Sequence, residues 1–218
     1  LQNLQDRLSG LTSGQLASYI PELTKANPDW LGISIVTMDG VAYSVGDAEQ
    51  LFTIQSISKP FVYGMALADR GQQAMAEKVG VEPSGDAFNS ISLHPQTGAP
   101  LNPMINAGAI ATTSLVAGRT TEAQWQRIES SIATFVGHPV TVDESVYQSE
   151  SSTGHRNRAI AWMLKNFGII EDEPMASLEN YFRQCAIEVS CRDLAYMAAT
   201  LANGGVHPLT GKRALPTE

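Results

Sequence analysis

The stretch Phe52-Thr-Ile-Gln-Ser-Ile-Ser-Lys-Pro-Phe61 joins a short strand pattern to the start of a helix. Residues 52–54 have the pattern of a strand, and the chain from Ser56 onward has that of an amphipathic helix, which Gly71 ends. The apolar stripe of this helix consists of Ile57, Phe61, Met65 and Ala68. The sequence therefore predicts a strand-to-helix junction, with Ser56 in the first helical turn.

Ser56 and Lys59 stand three residues apart, so on a helix their hydroxyl and amine lie on one face. An amine that loses its proton on burial can accept the proton of the serine. Backbone N–H groups at the helix start favour the negative charge that develops on an attacked carbonyl oxygen. The pattern indicates a serine acyl-transfer site, although Ser-x-x-Lys also arises by chance on solvated helix faces.

The composition is that of an ordinary globular protein, with 218 residues, 43% of them hydrophobic and 17% charged. A net charge of -8 without a cluster of basic residues argues against nucleic acid as a partner. No apolar run approaches the roughly 18 residues of a membrane span, so no membrane association is predicted.

The two cysteines, Cys185 and Cys191, do not form a CxxC motif and are interpreted as free thiols in a reducing compartment. The N-terminal residues lack a secretory apolar region, which together with the thiols predicts a cytoplasmic location. The histidines lack the spacing of metal ligands, and no metal is predicted.

Apolar periodicity and turn residues predict strands first and mostly helices afterwards. Two strands, 32–38 and 41–45, flank a two-residue turn at Asp39-Gly40, and the strand before Ser56 extends them into an antiparallel meander. Residues 80–105 are predicted as a long structured loop. Further helices are predicted over residues 1–8, 14–24, 106–117, 121–135, 157–167, 178–186 and 190–201. The helix over 106–117 consists of small residues and is expected to be close-packed. Thr121 with Gln124 predicts a capping box for the helix over 121–135, and Ser190 with Asp193 predicts a cap for the last helix. This order predicts an α+β fold, with helices packed on an antiparallel sheet.

Several blocks of sequence resemble the serine-dependent glutaminases, in the order of that family and over nearly the whole chain. The blocks are Gln55-Ser-Ile-Ser-Lys-Pro60, Glu82-Pro-Ser-Gly85 with Phe88-Asn89, Asn102-Pro-Met-Ile-Asn-Ala-Gly-Ala-Ile110, Gln148-Ser-Glu150 with Arg156-Asn157, Tyr181-Phe182 before Cys185, and Met197-Ala-Ala-Thr-Leu-Ala-Asn-Gly-Gly205. The resemblance implies the fold of β-lactamases and penicillin-binding proteins: an antiparallel sheet flanked by helices, plus a helical lobe.

The resemblance also implies an activity, the hydrolysis of L-glutamine to L-glutamate and ammonia without a cofactor, commonly in a homo-oligomer. Ser56 corresponds to the nucleophile and Lys59 to its base. Five further residues correspond to the lining of the glutamine pocket: Tyr19, Asn106, Glu150, Asn157 and Tyr181. A free amino acid carries an ammonium and a carboxylate, so such a pocket needs one anion, here Glu150, and neutral donors from amides and phenols.

Each pocket residue has a simpler structural interpretation as well. Asn106 and Asn157 have the positions of helix caps, and Glu150 lies in a polar stretch that is typical of a solvated loop. Tyr19 and Tyr181 lie on amphipathic patterns where tyrosines usually stand at the edge of a core. Without the resemblance, none of the five would be singled out.

One departure from the family concerns the C-terminal part of the domain. The family continues into a tyrosine and a Lys-Ser/Thr-Gly-type strand, whereas Thr210-Gly211-Lys212 here is interpreted as a turn. Residues 1–218 are therefore expected to form a glutaminase catalytic domain without its C-terminal portion, which activity would need. Two alternatives stay open: another acyl-serine hydrolase of this fold, such as a β-lactamase, and a non-catalytic amino-acid-binding fragment.

Overall fold

The computed structural model describes residues 1–83, 85 and 87–217, so Ser84 of the Glu82–Gly85 block and the last residue, Glu218, lie outside the described residues. The described part is a mixed α+β structure, which confirms the predicted fold class. Its strands are β1 Gly32–Val36, β2 Ala42–Gly46, β3 Phe52–Thr53 and β4 Glu188–Val189. Its helices are α1 Gln2–Leu8, α2 Ser58–Arg70, α3 Gln72–Lys78, α4 Asn106–Ser114, α5 Thr121–Val136, α6 Glu144–Thr153, α7 His155–Asn166, α8 Pro174–Cys185 and α9 Cys191–Ala202, with 3₁₀ turns at Pro21–Lys25 and Gln55–Ile57.

The chain divides into two compact units. The first contains residues 1–54, 130–149 and the chain from Ala186 onward, and it includes all four strands named above. The second contains residues 55–129 and 150–185 and is built from helices and loops. This second unit corresponds to the helical lobe that the sequence predicts.

In the first unit, β1 and β2 form the predicted antiparallel hairpin, with Ile35 opposite Tyr43. The turn is longer than predicted, because Thr37 donates its N–H to Val41 and leaves three residues between them. Gly40 takes a φ of +87°, which glycine adopts readily. The predicted meander is wrong, since β3 pairs with β4, with Phe52 opposite Val189, and not with β2.

Helix α9 contacts β1 and begins with the predicted capping box. The Ser190 hydroxyl accepts from the Asp193 N–H at 3.1 Å, and the Asp193 carboxylate accepts from the Ser190 N–H at 2.8 Å. Two of the N–H groups at the helix start are satisfied in this way. The hydroxyl of the buried Tyr196 on the same helix donates to the Gly40 carbonyl at 3.2 Å and ties α9 to the hairpin turn.

The predicted helix over residues 14–24 is wrong. Only a 3₁₀ turn, Pro21–Lys25, forms there, and Ile20 before it is extended at φ -124° and ψ 129°. A proline disfavours the α conformation of the residue that precedes it, so Pro21 breaks the helix that the spacing of Leu16, Ile20 and Leu23 suggests. Ile20 is nevertheless buried and contributes to the core.

In the second unit, α4 is the most buried helix and contacts α2, α7 and α8. Its small residues allow this close packing, as the sequence predicts. The predicted loop is confirmed for the described residues of the range 80–105, which form no helix or strand. It is held by the N–H groups of Gly80 and Glu82, which donate to the carbonyls of Pro100 and Leu101.

Two helices of the described part are missed by the sequence pattern, α3 and α6. The predicted capping box at Thr121 is also wrong, because the hydroxyl of Thr120 is the one that accepts from the Ala123 N–H, at 3.1 Å. Over the ranges 1–83, 85 and 87–217, no helix has both the length and the apolar composition needed to cross a bilayer.

Candidate active site

The junction before α2 has an unusual backbone conformation. Gln55 has a φ of +49°, which is uncommon for a residue other than glycine and costs about 1–3 kcal/mol. The chain turns sharply here from β3 into the 3₁₀ turn Gln55–Ile57, and Ser56 is exposed on that turn. Local strain of this kind is concentrated at functional sites in proteins, which makes Ser56 a candidate reactive residue.

Lys59 lies on the first turn of α2 and is buried, with 3% of its surface exposed. Its Nζ donates to the Met104 carbonyl at 3.0 Å and to Asn106 Oδ1 at 2.7 Å, and it lies 5.7 Å from the centre of the Phe88 ring. Burial lowers the pKa of Lys59, while Cys185 and Glu150 act in the opposite direction. The lowered pKa favours the neutral amine, the form that can accept a proton.

Asn106, at the start of α4, connects three of the predicted site residues. Its Oδ1 accepts from Lys59 and from the Tyr181 hydroxyl at 3.3 Å, and its Nδ2 donates to Asn157 Oδ1 at 3.2 Å. The side chains of Asn106 and Asn157 are therefore engaged with each other and do not cap their helices; the N-cap positions belong to Ile105 and Gly154.

Glu150 lies on α6, not on a solvated loop, and is 7% exposed. Burial raises the pKa of Glu150 to about 7, and the positive charge of Lys59 opposes that rise. Its Oε2 is buried without a hydrogen-bond partner among the described residues. An unpartnered buried carboxylate oxygen is costly, and it is a suitable receptor for a ligand ammonium.

The sequence interpretation missed several residues of this cluster. Phe88 and Met104 contact Lys59, and the buried Cys185 interacts with Lys59, Glu150 and Tyr181. Burial raises the pKa of the Cys185 thiol well above its usual value. All three residues stand in or beside the quoted sequence blocks, but nothing in their residue types marks them as neighbours of a lysine.

The two remaining site residues, Ser56 and Tyr19, are exposed. Ser56 is exposed whereas Lys59 is buried, and the hydrogen bonds of Lys59 go to Met104 and Asn106. Tyr19 belongs to the first unit and is 58% exposed. The structure thus brings together Lys59, Asn106, Asn157 and Tyr181 by hydrogen bonds, and Glu150 by its charge interaction with Lys59.

A cavity of about 540 Å³ lies beside the partners of Lys59. It is lined by Val81, Pro83, Phe88, Asn102, Pro103, Met104 and Ile105. Its size falls within the range that small-molecule sites occupy. Among the residues described, no group of three or more histidine, cysteine or acidic side chains is arranged to hold a metal ion.

Comparison with known proteins gives consistent matches. A sequence model of the family described as Glutaminase matches residues 14–218. A glutaminase of Trichormus variabilis is 54% identical over 215 residues, which are 99% of this chain and 64% of that protein. A glutaminase of Corynebacterium glutamicum is 46% identical over 99% of this chain and 52% of its own length. The chain thus spans less than two thirds of the length of either relative.

Solved structures agree with the sequence matches. A probable glutaminase superposes with a TM-score of 0.95 at 42% identity, over 99% of this chain and 70% of that one. The structure of Mglu in its glutamate form superposes with a TM-score of 0.93 at 41% identity, over 99% of this chain and 50% of that one. These matches confirm the β-lactamase-like fold class that the resemblance implies. By family match, identity and fold together, this chain belongs to the glutaminase family.

Proposed function

We propose that this chain carries a glutaminase active site, which hydrolyses the side-chain amide of L-glutamine to L-glutamate and ammonia. The observation that carries the proposal is the buried Lys59, whose pKa is lowered by burial, one helical turn from the exposed Ser56 on a strained backbone. Family membership supplies the substrate class.

In the proposed reaction, Ser56 Oγ attacks the amide carbon while its proton passes to the neutral amine of Lys59. The carbonyl oxygen becomes an oxyanion, to which the Ser56 N–H donates. When the tetrahedral intermediate collapses, Lys59 returns the proton to the departing nitrogen and ammonia leaves. Water then attacks the glutamyl ester, with Lys59 again as base, and releases L-glutamate and free Ser56. Serine, lysine and water account for every step, and the chemistry requires no cofactor.

Recognition of the amino acid is assigned to the buried polar cluster. Glu150, with an unpartnered Oε2, receives the substrate ammonium as a carboxylate. Asn106, Asn157 and Tyr181 supply neutral polar groups for the substrate carboxylate, and Tyr19 is proposed as a further binding residue. The glutamate form of Mglu, a structure with 41% identity to this chain, supports an amino acid ligand of this class.

Three related expectations stay predictions: a homo-oligomeric assembly, a cytoplasmic location, and a catalytic domain over residues 1–218 that needs a C-terminal portion. Size-exclusion chromatography with light scattering measures the first. The ammonia assay is run on residues 1–218 with and without that C-terminal portion, because the third expectation predicts turnover only when the portion is present.

The direct test is ammonia release from L-glutamine by the wild type, Ser56→Ala and Lys59→Met, with Lys212→Met at an exposed lysine as the matched control. Loss of the nucleophile or its base is expected to lower kcat by about a thousandfold or more, and Lys212→Met is expected to leave it unchanged. Undiminished release by Ser56→Ala would contradict the mechanism. Steady turnover of a chromogenic β-lactam would favour the other acyl-serine hydrolases. Glutamine binding without turnover, retained in Ser56→Ala, would favour a binding module.

A further inference from the structure

Three buried polar side chains behind Ser56 form a hydrogen-bonded chain that the mechanism above does not use. Thr113 Oγ1 on α4 is 3.1 Å from Gln184 Oε1 on α8, and Gln184 Nε2 is 3.2 Å from Ser58 Oγ on α2. Ser58 Oγ in turn is 2.8 Å from the carbonyl oxygen of Gln55. Thr113, Gln184 and Ser58 each have 0% of their surface exposed. We refer to these three residues as the relay.

The direction of each hydrogen bond in the relay follows from counting donors. A carbonyl oxygen only accepts, so the single hydroxyl proton of Ser58 points at Gln55. Ser58 Oγ then accepts from Gln184, which must present its NH₂ group there and its amide oxygen to Thr113. The Thr113 hydroxyl, also 2.9 Å from the Ala109 carbonyl, shares its proton between these two acceptors. The Cys185 thiol is a further neighbour of Ser58.

The relay ends on the peptide group that carries the Ser56 N–H. In a trans peptide the carbonyl of one residue and the N–H of the next lie in one plane and point in opposite directions. Holding the Gln55 carbonyl therefore fixes the direction of the Ser56 N–H. Gln55 itself has a positive φ, a conformation that persists only where the surroundings enforce it.

We propose that Ser58, Gln184 and Thr113 are positioning residues, which aim the Ser56 N–H at the oxyanion by holding the Gln55 carbonyl. This inference rests on the proposed function, since it deepens the role of the same serine. A hydroxyl that bonds the carbonyl three residues back is common at helix starts, and Ser58 alone would carry no such role. What sets this site apart is the amide of Gln184, which comes from 126 residues away in the chain and donates to Ser58 Oγ.

The first test separates transition-state effects from binding. Ser58→Ala and Gln184→Met are expected to lower kcat about ten- to a hundredfold, because a small misplacement of a reacting group has effects of this size. KM for glutamine and the Kd for L-glutamate are expected to stay within about twofold, since neither requires the oxyanion site. A rise in KM that accounts for the whole loss, or an unchanged kcat, would overturn the proposal.

Thr113→Val is the milder variant, which keeps the volume of the side chain and removes only its hydroxyl. Its matched control is Thr112→Val, one position earlier on α4, where an equally buried hydroxyl has no partner among the described residues. We expect kcat to fall several-fold in Thr113→Val and to stay unchanged in Thr112→Val. Equal effects of the two variants would show that the relay does not reach Ser56.

A second readout does not depend on turnover. In ¹⁵N relaxation measurements, the Ser56 amide of the wild type is expected to have an order parameter near that of rigid backbone, about 0.85, and to fall toward about 0.6 in Ser58→Ala and Thr113→Val. Thr112→Val is expected to match the wild type. A wild type that releases no ammonia even with the C-terminal portion present would contradict the proposed function alone, and the relaxation data would still decide the relay. Equal order parameters of the Ser56 amide in the wild type and in every variant would refute the proposed role of the relay.

Discussion

Lys59 donates to the side-chain oxygen of Asn106 over 2.7 Å, and both residues are buried. A neutral amine has two N–H bonds and one lone pair. The oxygens of Asn106 and Met104 accept from two N–H positions of Lys59, so in the neutral form both hydrogens are occupied and the lone pair remains to accept a proton. The contact thus fixes the orientation of the base as well as its position.

Asn106→Asp is expected to move the pH profile of kcat. An aspartate carboxylate beside Lys59 favours the charged ammonium and raises the pKa of Lys59, so the neutral amine forms only at higher pH. The ascending limb of the profile should move to higher pH by about one to three pH units. The exposed Asn166→Asp serves as the control and should leave the limb in place. If the ascending limb did not move in Asn106→Asp, residue 106 would not control the pKa of the catalytic base.

Glu150→Gln is expected to stabilise the fold in a pH-dependent way. The pKa of Glu150 is about 7, above the ordinary 4.5, so the protonated carboxyl contributes stability that is complete below pH 4.5 and is lost as the pH rises through 7. At pH 8 the buried carboxylate therefore costs about 3 kcal/mol, at about 1.4 kcal/mol per pH unit. Glutamine avoids that cost, and denaturant unfolding at pH 8 measures the gain.

At pH 4 the gain from Glu150→Gln should vanish, because glutamic acid is then as neutral as glutamine. The exposed Glu77→Gln should change the free energy of unfolding by less than about 0.5 kcal/mol at either pH. Turnover is expected to fall in Glu150→Gln because the substrate ammonium loses its anion. A variant that is both less stable at pH 8 and fully active would contradict the role of Glu150.

Gly108→Ala is expected to destabilise the second unit and to impair catalysis. A Cβ at Gly108 would overlap the Asn102 carbonyl oxygen, so the loop before α4 would have to move. Overpacking of this kind costs about 1–3 kcal/mol. Because Met104 in the same loop accepts from Lys59, kcat should fall as well. Gly10→Ala, where nothing lies within 4 Å, is the control and should be neutral in thermal unfolding and in activity.

Thr112→Val is expected to raise the free energy of unfolding by about 1 kcal/mol. The Thr112 hydroxyl is buried without a partner among the described residues, so the variant removes a group whose desolvation destabilises the fold. Thr113→Val removes a hydroxyl that is hydrogen-bonded to Ala109 and Gln184, and it should lower the free energy of unfolding by about 1–2 kcal/mol. Chemical denaturation of both variants checks the opposite signs. The same sign in both would contradict the hydrogen-bond assignment on α4.

The sequence predicted the parts of the fold that local chemistry controls. The turn residues Asp39-Gly40 correctly predicted the hairpin, and Ser190 with Asp193 correctly predicted the cap of α9. Where an element depends on distant partners, the prediction was wrong. The pairing of β3 with β4 joins residues that are far apart in the chain. One local signal was overlooked as well, because the apolar spacing of Leu16, Ile20 and Leu23 concealed the effect of Pro21.

For the candidate site, the spacing of Ser56 and Lys59 singled out these two residues, the resemblance identified the five pocket residues, and the structure gave the environment of each. Glu150 has polar neighbours in the sequence, and only the packing of α6 reveals that it is buried. Ser58 and Gln184 carry no sequence signal at all, because their roles depend on one hydrogen bond between two helices. The assignment of Ser56 and Lys59 as nucleophile and base stays a prediction until the variants are assayed.

The bond between Gln184 and Ser58 also has a consequence for protein synthesis. A ribosome makes the chain from its N-terminus, so Ser56 and Lys59 leave the exit tunnel long before α8 exists. During that interval neither the hydrogen bond from Gln184 to Ser58 nor the one from Tyr181 to Asn106 can form. On the proposed role of Ser58 and Gln184, Ser56 is held in its final orientation only after α8 has packed against α4. Under that proposal, an incomplete chain that ends before α8 carries Ser56 and Lys59 without the contacts that position them.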